Sequence, residues 1–171
     1  GVQIGSIFAY CTESGIDPSI KELVIEKYFN KKLNITTDFK ASPTGYPFKV
    51  IEQELDAEDY CPQERQRVCD LGYLREAYCD DEGNFGLRCP SESIKSYVKK
   101  GGAEEDTEGR QCLCNGLLST VEMPQIRKGK KEAPLLTAGD DFTFLDKLTS
   151  KSKLSYSASS VIDMILEPVP S

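Results

Sequence analysis

Histidine is missing altogether from the 171 residues. That excludes a Ser-His-Asp or Cys-His nucleophile within the chain, and any imidazole metal ligand. Cys-x-x-Cys is missing too, so the spacing shows neither a zinc ribbon nor a thioredoxin motif. No apolar run approaches the roughly 20 residues of a membrane span. There is no internal repeat, no low-complexity tract and no signal-peptide pattern. Positive charge is in the minority, with 21 Lys and Arg against 28 Asp and Glu. Displacing counterions from nucleic acid needs clustered cations, so this balance argues against a non-specific nucleic-acid binder.

What is present is globular composition: 39% hydrophobic and 29% charged residues, enough apolar mass for a core. The length suits one ordinary domain or slightly more. The chain starts at Gly1 rather than methionine, and its opening reads as a buried strand, so a piece of a larger protein is expected. The seven cysteines are Cys11, Cys61, Cys69, Cys79, Cys89, Cys112 and Cys114. Their odd number and the lack of a secretory signal favour reduced thiols in the cytoplasm over disulfides or a metal site. Asn34-Ile35-Thr36 fits a glycosylation acceptor, but such tripeptides are common by chance.

Along the chain, residues 2–8 form a short apolar run expected to be a buried strand. Asp17 then caps a helix with Pro18 in its first position. Ile20, Leu23, Val24 and Tyr28 give that helix an apolar stripe, with Lys21, Glu22 and Glu26 on the opposite face. Residues 33–39 and 48–55 read as extended, joined through Ser42-Pro43-Thr44-Gly45. Residues 56–59 read as an acidic surface stretch. Between Cys61 and Cys89 the pattern is weak, apart from a turn at residues 80–84. Residues 93–99 suit a short helix stopped by Gly101-Gly102, followed by a polar loop over 104–109. Leu113, Leu117, Leu118 and Val121 predict the next helix, ended by Pro124. Residues 127–131 form a basic turn and 134–137 a short apolar segment. Asp140 or Asp141 should cap a helix bearing Phe142, Leu145 and Leu148. The last helix runs over about 157–166, with Val161, Ile162, Ile165 and Leu166 on one face.

Chemistry is suggested at three places. Gln3-Ile4-Gly5-Ser6 is a strand end where a glycine and a hydroxyl would let a phosphate approach the backbone; a bend or close packing is the plainer reason for such a glycine. The thiols of Cys112-Leu113-Cys114-Asn115-Gly116 stand at a helix start, where the dipole lowers a thiol pKa, though buried structural cysteines explain them as well. The adjacent carboxylates of Gly139-Asp140-Asp141 suit either a magnesium ion or a helix cap.

Gly1-Val2-Gln3-Ile4-Gly5-Ser6-Ile7-Phe8, followed by Glu13-Ser14, resembles the barrel-ending strand of the nitronate monooxygenases, formerly 2-nitropropane dioxygenases. The resemblance extends to Arg88-Cys89-Pro90-Ser91-Glu92, Tyr97-Val98-Lys99-Lys100-Gly101-Gly102 and Gly109-Arg110-Gln111-Cys112-Leu113-Cys114-Asn115-Gly116-Leu117. It continues through Pro134-Leu135-Leu136-Thr137-Ala138-Gly139-Asp140-Asp141 and Tyr156-Ser157-Ala158, and so spans nearly the whole chain. Ser6 stands where threonine is usual, which keeps the hydroxyl.

The resemblance implies an α/β fold: the C-terminal part of a (β/α)8 TIM barrel with a mixed α+β, largely helical tail. Residues 1–30 would supply the last barrel strand and the following helix, and residues 31–171 the tail. It implies FMN as cofactor, with Gln3, Ile4, Gly5 and Ser6 at its phosphate, and oxidation of a small alkyl nitronate with O2. The flavin-ring contacts and the family's catalytic histidine would come from earlier strands, so no catalytic residue is assigned within this chain. Three alternatives remain: a non-enzymatic module covering a flavin barrel, a parent acting as a flavin-dependent enoyl reductase, or a cysteine-based redox or metal-binding domain. A lone strand would leave backbone groups unpaired and favour self-association.

Overall fold

The structure is a computed structural model that describes residues 4–52 and 66–167. Gln3, Cys61 and the acidic stretch 56–59 lie outside the described residues.

The opening turns rather than running straight. Ser6–Ala9 form a short helix, α1, and the amides of Phe8 and Ala9 both donate to Gly5 O at 3.0 and 3.1 Å. The strand expected over residues 2–8 is therefore not formed in its described part. An extended segment must find a neighbour for its amides and carbonyls. Here local helical bonds satisfy them, and Ile7 enters the core while Ile4 stays exposed.

Asp17 and Pro18 act as expected. The Asp17 carboxylate accepts from Ser19 N at 2.8 Å, and Pro18 opens α2 (Pro18–Phe29). Ile20, Val24 and Ile25 are buried, but so is Lys21, which the stripe had placed on the solvent face. Its ammonium folds back onto the preceding loop, donating to the carbonyls of Cys11, Thr12 and Ser14 at 3.1–3.2 Å. Burial of the stem and full use of the charged head make this position possible.

β1 (Ile35–Asp38) and β2 (Phe48–Ile51) pair antiparallel, with Ile35 opposite Ile51 and Asp38 opposite Phe48. The apolar segment 135–138 lies along the other edge of β2: Ile51 N donates to Leu136 O at 3.0 Å and Ala138 N to Lys49 O at 3.1 Å. The middle of the chain holds a hairpin where sequence pattern showed only a turn. β3 (Glu76–Cys79) pairs with β4 (Phe85–Arg88) around Asp80, which accepts from the amides of Glu82 and Asn84. Gly83 supplies the left-handed φ of 81° that the turn needs. The hairpin buries little, with Phe85 72% exposed, and so leaves little hydrophobic alternation to read.

α3 (Ile94–Lys99) is capped by Ser93, and a 3-10 turn follows at Glu104–Thr107, where a loop was expected. α4 (Leu113–Thr120) is the expected helix with an unexpected inner face: Asn115, Gly116, Ser119 and Thr120 are buried, while Leu117 is exposed. Gly116 lets the 133–135 segment approach closely, and the hydroxyls of Ser119 and Thr120 donate to Glu132 O and Gly116 O. The two-residue strands β5 (Ile126–Arg127) and β6 (Lys130–Lys131) form the basic turn.

α5 (Leu145–Leu148) begins later than a cap at Asp140 or Asp141 would require. Asp141 instead holds a turn by accepting from Thr143 N and Oγ1, and Phe144 stands at the helix start. α6 (Ala158–Leu166) is capped by Ser157. Val161 is fully buried, whereas Ile162, Ile165 and Leu166 are exposed. The main core joins residues from both ends of the chain, Ile7, Val24, Ile25 and Ile51 with Leu136, Leu145, Tyr156 and Val161.

The architecture is thus mixed α and β with small antiparallel two-stranded sheets. No closed barrel is seen among the described residues. No helix among them is long and apolar enough to cross a membrane.

Candidate functional site

The opening segment is where the distant parts of the chain meet. Ser6 Oγ accepts from Gly139 N–H at 2.9 Å, which leaves the hydroxyl proton for another acceptor. The amides of Ser6 and Ile7, at the start of α1, have no acceptor within the helix. Gly5 is exposed, and a Cβ built on it would meet nothing within 4 Å. Its φ of −114° does not itself demand glycine. Ile4, Gly5 and Ser6 therefore lie together on an accessible turn offering amides and a hydroxyl; Gln3 is outside the described residues. An anion such as a phosphate fits that donor set, and open space at the Gly5 Cβ position lets it reach the backbone.

Anchors beneath this turn fix its position. Tyr156 Oη donates to Ile7 O at 2.7 Å, a buried bond, and burial raises the phenol pKa far above its usual value. Thr12 N donates to Tyr156 O at 2.8 Å. Glu13 accepts from Ala158 N at 2.8 Å at the start of α6, and this amide is the first cause holding its carboxyl below the usual range. Lys21 gathers the loop carbonyls between α1 and α2. Tyr10 Oη is buried without a hydrogen-bond partner among the described residues, its ring 5.4 Å from that of Phe142.

The acidic pair after Gly139 is already engaged. Asp140 forms an ion pair with Lys49 at 3.2 Å. Asp141 is held ionised, first by the Thr143 hydroxyl and then by the Thr143 amide. The two carboxylates thus engage separate partners, Lys49 across the fold and Thr143 within the turn.

The other motifs make structural junctions. Arg88 pairs with Glu76 at 2.7 Å and lies over the rings of Tyr78 and Tyr97. Glu92 is buried and takes the Lys100 ammonium at 2.8 Å. Ser91 Oγ donates to Gln111 O, joining two of the motifs. Cys112 is buried at the start of α4, where Asn115 Nδ2 donates to its sulfur at 3.5 Å and to Asp70 at 3.0 Å. Sequence reasoning named Gly139 and Glu13 within motifs without joining them to the opening segment, and set Lys21 on the solvent face. The first two act across 133 and 145 residues, a separation that spacing cannot reveal. Compared with family models, curated proteins and solved structures, the chain has no match.

Proposed function

We propose that this chain is the C-terminal part of an FMN-dependent, nitronate monooxygenase-like oxidoreductase of the cytoplasm. In this reading Gln3, Ile4, Gly5 and Ser6 hold the cofactor phosphate, and the parent oxidises a small alkyl nitronate with O2. The reading is carried by one observation, the hydrogen bond from Gly139 N–H to Ser6 Oγ. It brings two of the motifs behind the family resemblance onto the same accessible turn. The donor set there suits a phosphate, as a cofactor-anchoring part should. Flavin, when bound, supplies the redox chemistry; these residues bind and orient it. The finer fold reading, a last barrel strand ending at this turn and a tail beyond it, belongs to the same proposal. The exposed Ile162, Ile165 and Leu166 on α6 favour a second reading, a module that covers a flavin barrel without itself reacting.

The test is Gly5→Val in the complete flavoprotein. Because no atom lies within 4 Å of the added Cβ, the fold should persist by circular dichroism while FMN content falls. A variant that purifies with full flavin sinks the phosphate assignment. The 171-residue chain alone, given FMN and an alkyl nitronate, should consume oxygen no faster than free FMN. Clear turnover would place a complete site within it and refute the reading.

A further inference from the structure

Four cysteines from three separate stretches line one cleft: Cys69 before β3, Cys89 after β4, and Cys112 and Cys114 at the start of α4. No disulfide joins any of the six described cysteines to another. Cys89 and Cys112 are 6% and 7% exposed. The sulfur of Cys112 has a donor beside it. Asn115 Nδ2 donates to Cys112 Sγ, and its tie to Asp70 fixes the orientation of the amide. The first turn of α4, eight residues long, adds its amide dipoles beside Cys112 and Cys114.

A second observation is independent of the thiols. From residue 66 to residue 112 no side chain belongs to either apolar core cluster. Tyr73, Phe85 and Leu87 in that stretch are exposed. Cys89, Pro90, Tyr97, Thr107 and Cys112 are buried there without forming an apolar cluster, and a stretch so built gains from a cross-link.

We propose that Cys69, Cys89, Cys112 and Cys114 form a structural tetrathiolate site for zinc, pinning the stretch before β3 and the end of β4 to the start of α4. Soft thiolates in a closed, four-ligand set suit Zn2+, which undergoes no redox change. Binding replaces four S–H bonds with four Zn–S bonds and releases four protons to solvent. In the present arrangement no three ligand-type side chains among the described residues stand close enough to hold an ion. The thiols line the cleft walls, and binding draws them inward by side-chain rotation.

The experiment titrates the reduced, metal-stripped full chain with Co2+. Tetrahedral thiolate coordination gives intense d–d bands in the red and sulfur-to-cobalt charge transfer in the near ultraviolet, saturating at about one ion per chain. Zn2+ should displace the cobalt and protect these four cysteines from alkylation, while exposed Cys79 stays reactive. Cys89→Ser and Cys114→Ser should abolish the spectrum, and Cys79→Ser should leave it intact. The wild-type spectrum and protection map decide the matter even if a variant fails to fold. Weakly absorbing octahedral cobalt, a protection pattern that misses the cleft, or a disulfide among these cysteines in the untreated native chain would each overturn the site.

Discussion

Replacing Lys21 by methionine tests the least expected contact in the fold. Methionine keeps the length and the apolar stem, so packing against α2's neighbours changes little. What disappears is an ammonium that donates to three carbonyls, at 3.2, 3.2 and 3.1 Å, from a side chain only 7% exposed. A hydrogen bond to a charged group contributes about 1.5–3 kcal/mol, and a buried carbonyl left without a donor costs about 1–3. The three acceptors share one charge, and two of them are only partly buried, so the contributions do not simply add. A total near 3 kcal/mol is expected, which for a chain of this size lowers Tm by about 6–12 °C. Lys27→Met is the matched control: its ammonium reaches one exposed carbonyl, Glu52 O, at 3.4 Å, and should change stability by less than about 0.5 kcal/mol. Thermal unfolding followed by circular dichroism compares the two. If Lys21→Met melts with the control, the ammonium is not the clasp of the loop and the argument from burial fails.

Gly116→Ala sets helix propensity against packing. Alanine favours the helix by about 1 kcal/mol, but its Cβ would lie 2.7 Å from Leu135 Cβ, so net destabilisation of about 1–2 kcal/mol is expected in urea titration. A stabilised variant would mean that the 133–135 segment gives way easily. Asp17→Ala should cost about 1 kcal/mol by removing the cap of α2. The folded pKa of Asp17 is lowered, chiefly by the Ser19 hydroxyl. Its contribution is therefore complete above the ordinary aspartate pKa near 3.9 and is lost as pH falls through the lower folded value. The gap in stability between wild type and Asp17→Ala should narrow in acid; a gap constant down to about pH 2 would refute the linkage.

Local signals were legible where a single residue does the work. Asp17 with Pro18, Ser93 and Ser157 each announced a helix start, and the glycines after α3 announced its end. Two extended stretches joined through Ser42-Pro43-Thr44-Gly45 were expected, and β1 and β2 form within them as an antiparallel pair. Patterns failed where burial does not follow hydrophobicity. α4 turns small and polar residues inward because a backbone segment, rather than a side-chain layer, packs on it. β3 and β4 pair with so little burial that alternation leaves no trace. At the candidate site, Ile4, Gly5 and Ser6 were read as a strand end, and a helical start stands there instead. The cleft of four cysteines was unreadable because its members come from three stretches with no metal-type spacing.

The union of both chain ends in one core also sets the order in which the molecule can acquire structure. Tyr156 reaches Ile7 O across 149 residues, and Val161 closes the cluster that Val24 and Ile25 begin. A ribosome delivers the first α2 turns long before their covering residues, at roughly 5–20 residues per second. For several seconds the nascent apolar face of α2 must therefore remain open to solvent, chaperones or neighbouring chains. Closing so long a loop is also slow, since its entropy must be lost before the contacts it enables can form. The same junction that steadies the Ser6 turn in the finished fold thus makes synthesis the time at which this chain is most prone to misassembly.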